Sequence, residues 1–236
     1  MVYNWLNIEQ FCLLCDERCD PEHSLCGACE ADLPWLGPQC TVCALPLHAG
    51  GLICGQCLKR PPAFDQVVAP WRFDFPIDSL INRFKHQSRW PFGRLLAELL
   101  ARHMQHLFDD AGLPRPSALL PVPLARKRLR QRGFNQARML ADWLSPELRI
   151  PVRNELLQRT LDTPAQQQLD AAGRRRNLRQ AFALPDKKPL HDQHLAIIDD
   201  VLTTGATAEA LARLLKRAGA ARVDIYCLAR TPKPGD

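Results

Sequence analysis

The clearest alternation of hydrophobic and polar positions lies near the end of the chain. Leu195-Ala196-Ile197-Ile198 is an unbroken apolar run, the mark of a strand buried on both faces. From about Ala208 to Ala218 the period becomes helical. Leu211, Leu214, Leu215 and Ala218 share one stripe, and Gly219 is placed to stop the helix. Val223-Asp224-Ile225-Tyr226-Cys227-Leu228 then supplies a further strand, with Cys227 as a plain core residue. The three pieces predict a βαβ unit. In such units ligands gather where the first strand ends and the helix begins.

Upstream the pattern is shorter in range. Gln66-Val67-Val68-Ala69-Pro70-Trp71 and Arg72-Phe73 read as one or two short strands. Ile77, Leu80, Ile81 and Phe84 recur at helical spacing, as do Leu95, Leu96, Leu99, Leu100 and Met104. Lys85-His86 ends the first of these helices and reads first as a solvated helix end, second as a ligand contact. Ala118-Leu119-Leu120-Pro121-Val122-Pro123 is a buried strand stopped by prolines. Arg159 to Asn177, with Thr163-Pro164, Gln166-Gln167-Gln168 and Arg174-Arg175-Arg176, reads as a long polar loop. Loops of that length commonly serve as lids or binding segments.

Cysteine spacing adds a second module. Eight of the ten cysteines form four CxxC pairs: Cys12/Cys15, Cys26/Cys29, Cys40/Cys43 and Cys54/Cys57. Ten residues separate the two pairs of each half, and the second half repeats the first 28 positions later. Each CxxC turn presents two thiolates, and two turns complete a tetrahedral sulfur site. The pattern therefore predicts two structural zinc ions in tandem ribbons. Sequential pairing is simplest, with a cross-braced arrangement as the alternative. Redox chemistry fits less well, because the segment lacks a βαβ setting. Cys19 is a spare, and His23 and His48 read as surface residues. Lys59-Arg60-Pro61-Pro62 marks a boundary, giving a ribbon module over 1–60 and an α/β domain over 61–236.

A chain of 236 residues has room for both modules. No apolar run approaches a membrane span, and Met1 to Asn7 lacks the character of a signal peptide. These features predict a cytoplasmic protein, in which cysteines ligate metal more readily than they pair. Charge is uneven. Residues 1–60 carry 7 acidic and 3 basic side chains, whereas residues 61–236 carry 18 acidic and 28 basic. The basic part suits a polyanionic ligand, either a small phosphorylated molecule or nucleic acid.

The candidate chemistry sits in that basic part. Asp199-Asp200 follows the apolar strand, and Thr203-Thr204-Gly205-Ala206-Thr207 leads into the helix. Loop amides, the helix dipole and threonine hydroxyls can hold a phosphate. Carboxylates repel a phosphate, so Asp199 and Asp200 suit sugar hydroxyls or a magnesium ion beside it. After Pro123, the stretch 124–138 contains Arg126, Lys127, Arg128, Arg130, Arg132 and Arg138 without an acidic residue. It reads as a loop contacting polyphosphate, with a solvated charged face as the plainer reading.

Taken in this order, the residues resemble the type I phosphoribosyltransferases, whose signature is an apolar strand, two acidic residues and a threonine-rich turn. The resemblance narrows to the competence protein F family, which joins zinc ribbons to such a domain. Pro121-Val122-Pro123 with Arg132-Gly133-Phe134-Asn135-Gln136, then Thr163 to Gln166 with Leu169, and Arg174, Asn177 and Ala181-Phe182 carry it across essentially the whole chain. Gly173 stands where the family commonly has an acidic residue.

The resemblance implies a Rossmann-like, mainly parallel sheet flanked by helices, binding 5-phosphoribosyl 1-pyrophosphate with magnesium. Asp199 and Asp200 would face the ribose hydroxyls, and Thr203, Thr204, Gly205, Ala206 and Thr207 would wrap the 5-phosphate. Arg126, Arg128, Arg130 and Arg132 would meet the pyrophosphate, and residues 159–177 would close over the site. Transfer would pass through an oxocarbenium-like state as pyrophosphate leaves C1. Three functions follow: a phosphoribosyltransferase with an unidentified acceptor; an accessory factor gripping single-stranded DNA during transformation; or a ligand sensor whose ribbons dock competence or DNA-processing proteins.

Overall fold

The computed structural model describes residues 10–20, 24–160, 181–185 and 189–232. Its ribbons come first. Strands β1 (Gln10–Phe11) and β2 (Arg18–Cys19) and the short helix α1 (Gly27–Ala31) build the first, and α2 (Gly55–Lys59) closes the second. The region 66–73 then forms two strands, β3 (Gln66–Val68) and β4 (Trp71–Arg72), separated at Pro70, which has no amide to donate to a ladder. Next come α3 (Ile77–Gln87), α4 (Trp90–Asp109), β5 (Ala118–Pro121), α5 (Arg126–Arg132) and α6 (Gln136–Leu148). A small antiparallel pair follows, β6 (Gln158–Arg159) with β7 (Phe182–Ala183). Finally β8 (His194–Leu202), α7 (Ala206–Arg217) and β9 (Arg222–Arg230) complete the predicted βαβ unit. The loop expected at 159–177 falls outside the described residues from 161 onward, as does His23.

β8 lies between β5 and β9, and β3 and β4 follow one another along the far side of β9, all parallel. Side-chain alternation sorts the sheet into two cores. Leu119, Ala196, Ile198, Tyr226 and Leu228 pack with apolar residues of α3, α4 and α6. Ala118, Leu120, Leu195, Ile197, Ile225 and Cys227 pack with Leu211, Ala212 and Leu215 of α7. Burial on both faces is why the strand at 195–198 has no polar positions.

Two local features place residues at the carboxyl end of the sheet. A Cβ on Gly93 of α4 would sit 2.6 Å from the Phe84 ring, so glycine permits the close approach of α3. Phe84 also meets Phe134 and Trp143, with ring centroids 5.5 and 5.8 Å away, which ties the end of α3 to α6. The basic stretch expected as a loop is instead the helix α5. Arg126 to Arg132 contains only good helix formers, and Gly133, at φ 82°, ends it.

The ribbons lie against the β3/β4 edge. Val67 N–H donates to Val42 O at 2.9 Å, Arg72 N–H to Pro34 O at 2.9 Å, and Leu36 N–H to Pro70 O at 2.7 Å. Trp35 forms an antiparallel bridge with Trp71 and packs its ring on the Trp71 ring. The first ribbon contributes Cys12, Leu25 and Leu33 to the core under α4, and Glu30 pairs with Arg102 at 3.0 Å. The second contributes Ala44, with Val42 and Cys43 packed against it, to the core under α7.

Candidate functional site

The eight predicted ligands assemble sequentially: Cys12, Cys15, Cys26 and Cys29 in one cluster, Cys40, Cys43, Cys54 and Cys57 in the other. Within each cluster the four sulfurs lie within 4.8 Å of one another, which rules out cross-bracing. Cys15 Sγ is 3.7 Å from Cys26 Sγ, and Cys43 Sγ is 3.7 Å from Cys54 Sγ. Zinc–sulfur bonds of about 2.3 Å at tetrahedral angles require sulfurs about 3.8 Å apart, so both clusters fit zinc. Backbone amides support the thiolates: Leu14 N–H donates to Cys12 Sγ, Cys29 N–H to Cys26 Sγ, and Cys54 N–H to Cys40 Sγ. Burial alone would raise the Cys12 and Cys40 thiols, but amide donors outweigh it and bring them to about 6 and about 7. These are closed sulfur sites for structural zinc. Cys227 is fully buried and belongs to the core.

The acidic pair lies within β8 rather than after it, because the strand continues to Leu202. Its register with β9 skips Asp200. There the Asp200 N–H donates to Asp199 Oδ1 at 2.9 Å and the Val201 N–H to Asp200 Oδ1 at 2.7 Å. The Asp199 carboxylate thus takes the amide of the one residue that the register skips. Asp200 is only 5% exposed. Lys85 Nζ, from the end of α3, stands 2.7 Å from Asp200 Oδ2, though off the angles of a hydrogen bond. Loss of surrounding water, then the Asp200 charge, pushes the Asp199 carboxyl up to about 8.

The basic helix divides into two sides. Arg132 donates to Gln136 Oε1 at the start of α6, and loss of water lowers its pKa while the nearby Asp200 charge supports its protonated form. Arg128, one turn back, is close enough to oppose that charge. Two residues of helix turn the side chain by about 200°, so Arg126 and Arg130 project on the other side. Arg126, Arg128 and Arg130 are exposed and Arg132 is half-buried. The structure therefore brings Arg132 toward Asp200, with Arg128 beside Arg132 on the same side of the helix.

Thr203 and Thr204 are exposed, and Gly205 enters α7 at φ 74°. Nothing lies within 4 Å of a Cβ added there, so the left-handed backbone, and not space, calls for glycine. Thr204 Oγ1 accepts from the Ala206 N–H at 3.4 Å, and α7 has no side-chain cap. The first amides of α7, including those of Thr207 and Ala208, thus lie at an uncapped helix start. Beneath this turn is Arg230, at the end of β9 and 8% exposed.

Sequence reasoning read Lys85 first as a solvated helix end and only second as a ligand contact, and it did not single out Arg230. A lysine at a helix end reads as solvated. The one signal for Arg230 was a charge closing the largely apolar run from Ile225 to Ala229.

Comparison with known proteins accounts for both parts of the chain. The double zinc ribbon domain matches residues 8–58, and the phosphoribosyl transferase domain matches residues 136–235. A DNA utilization protein, YhgH, of Escherichia coli O157:H7 is 36% identical over 227 residues, 96% of this chain and 99% of that one. Competence protein F of Haemophilus influenzae is 35% identical over 210 residues, covering 89% and 91% of the two chains. Competence protein ComFC of Bacillus subtilis is 25% identical over 245 residues, covering 93% and 95%. Ribbons, parallel sheet and near end-to-end likeness agree, and the chain belongs to the competence protein F family, whose fold here is a phosphoribosyltransferase-like domain behind a double zinc ribbon.

Proposed function

We propose that the carboxyl end of the sheet binds 5-phosphoribosyl 1-pyrophosphate and that the chain transfers its phosphoribosyl group to an acceptor. The observation carrying this reading is convergence on Asp200. Lys85 and Arg132 come from separate helices to a buried carboxylate three residues before an open Thr-Thr-Gly loop. Asp199 and Asp200 hold the ribose hydroxyls, and Thr203 to Thr207 hold the 5-phosphate through loop amides and hydroxyls. Arg128 and Arg132 receive the pyrophosphate. Asp200, and Asp199 once it has lost its proton, would offer magnesium the oxygen ligands that it prefers, and the ion would supply charge stabilisation for the departing pyrophosphate. In the reaction the C1–O bond to pyrophosphate breaks, a bond from the acceptor nucleophile to C1 forms, and the acceptor loses its proton. We also propose the division at residue 60, with residues 61–236 carrying this chemistry.

Calorimetric titration with the ligand and magnesium, together with pyrophosphate release over a panel of nitrogenous bases, tests the reading. Binding abolished in Asp200→Ala and release with one base are expected. Binding without release over the panel would reduce the protein to a sensor, and no binding would remove the reading.

A second function is favoured by the outward side of α5. Arg126, Lys127 and Arg130 are exposed there, in a domain with 28 basic and 18 acidic residues. Relatives are named for DNA utilization and competence. That side would grip single-stranded DNA by its phosphates, and its affinity would fall steeply with salt. A salt-independent affinity would exclude it. Among the described residues, no helix is long and apolar enough to cross a membrane.

A further inference from the structure

Arg230 is a buried cation whose hydrogen-bond partners among the described residues are all backbone carbonyls. Its Nη1 donates to Leu202 O at 2.9 Å, Thr203 O at 2.6 Å and Thr231 O at 2.7 Å. Its Nε donates to Cys43 O at 3.0 Å. The first two acceptors begin the threonine turn. The last belongs to a ligand of the second zinc cluster. A guanidinium is planar and its donors are fixed in a fork, so one end cannot shift without turning the other.

The Cys43 carbonyl is itself fixed by the metal knuckle. Ala44, fully buried at φ 53°, donates its N–H to Cys40 O at 3.0 Å, closing the turn that carries both cysteines. A second link runs parallel to this one. Glu209, in the first turn of α7, accepts from the Ala63 N–H at 2.7 Å, just beyond the second ribbon. Among the described residues, the first ribbon makes no hydrogen bond of this kind to the turn. It docks on α4 through Glu30 and Arg102.

We propose that Arg230 is a positioning residue that couples the second zinc cluster, and not the first, to the conformation of the turn at 203–207. With Cys40, Cys43, Cys54 and Cys57 gathered on zinc, the Cys43 carbonyl holds the guanidinium and the guanidinium holds the turn open for an anion. When that cluster loses its metal, the knuckle relaxes and the buried Nε–H loses its acceptor, which weakens the grip on Leu202 and Thr203. The buried positive charge under the turn also favours an anion above it. The anion being the 5-phosphate rests on the phosphoribosyl pyrophosphate reading; the coupling itself does not.

The test is amide hydrogen exchange at residues 206–210 in the full chain, where the Ala206 and Glu209 amides bond back to Thr204 Oγ1 and Gly205 O, compared among wild type, Cys57→Ser, Arg230→Lys and the double variant. Each single change is expected to speed exchange there about tenfold, the loss of one charged hydrogen bond. The double variant should add no more than either alone. Exchange over 95–104 in α4 should stay at wild-type rates, which shows that the fold is intact. Glu30→Gln, which removes the charge pair between the first ribbon and α4, should leave 206–210 unchanged.

Additive effects, wild-type exchange in Arg230→Lys, or an equal response to Glu30→Gln would overturn the coupling. If Arg230→Lys does not fold, zinc chelation of wild type replaces it: unchanged exchange at 206–210 after loss of the second ion overturns the coupling, and faster exchange supports it. Titration with 5-phosphoribosyl 1-pyrophosphate separates the two readings. Coupled exchange without binding sinks the ligand and keeps the coupling, and binding with uncoupled exchange does the reverse.

Discussion

Replacing Lys85 by Met removes the ammonium and keeps most of the aliphatic stem, so the change isolates the charge. Asp200 would be left 5% exposed without its 2.7 Å partner. Breaking a fully buried ion pair costs about 3–5 kcal/mol, mostly the penalty of a carboxylate stranded out of water. Two features reduce that figure. The Lys85 side chain is 16% exposed, so the pair is partly hydrated. Arg132 also remains close enough to act on Asp200. About 2 kcal/mol is the expected loss, or about 4–8 °C in Tm for a domain of this size. Asp200→Asn removes the charge that needs a partner, so Lys85→Met with Asp200→Asn should recover most of the loss. Urea unfolding of the four zinc-loaded proteins gives the double-mutant cycle. A coupling below about 0.5 kcal/mol would mean that the contact is a surface ion pair in effect, and the argument for a charged, converging site would fall with it.

Other expected outcomes are more direct. Because the folded chain keeps a proton on Asp199 up to about pH 8, while the unfolded chain sheds it near 3.8, stability falls as pH rises through that window. Asp199→Asn should flatten the decline, which one proton limits to about 1.4 kcal/mol per pH unit, and an unchanged slope between pH 5 and 8 would refute the assignment. Paired substitution Arg128→Ala and Arg132→Ala should weaken phosphoribosyl pyrophosphate binding at least about tenfold, against under about threefold for Arg126→Ala with Arg130→Ala. Equal effects in calorimetry would show that the two sides of α5 are not distinct. Gly93→Ala should cost about 1–3 kcal/mol, since its methyl group would press on the Phe84 ring at 2.6 Å. A neutral melting temperature would mean that α3 is free to shift.

How far the sequence revealed these features depended on the range of each interaction. The βαβ unit was legible because Leu195 to Ile198 and the stripe Leu211, Leu214, Leu215 each obey one period. The zinc ligands were legible because CxxC spacing is local chemistry, although only the folded ribbons decide the pairing. Strand ends were less visible. Asp199 and Asp200 look like a terminus, yet their own side chains satisfy the amides that carry the strand past them. The helix α5 was hidden by its charge: repulsion among arginines suggests a loop, but intrinsic helix propensity and the Gly133 stop prevail. Lys85 and Arg230 depend on partners 115 and 187 positions away, Asp200 and Cys43, and no local pattern reports such a distance.

The seam between ribbons and sheet also has a consequence for solubility. β3 and β4 would form an open edge, a row of unpaired amides and carbonyls ready to accept a foreign strand. Backbone bonds from Val42, Pro34 and Leu36 and the bridge of Trp35 to Trp71 cover that row. The metal that shapes the ribbons therefore also shields the sheet from its own kind. Stripping zinc from the intact chain should expose a sticky border before it unfolds the α/β core, so self-association should precede melting. A fragment starting at residue 61 would carry the proposed chemistry but lack that cover. The division between modules is in this sense one of function, while as a folded body the edge belongs to both.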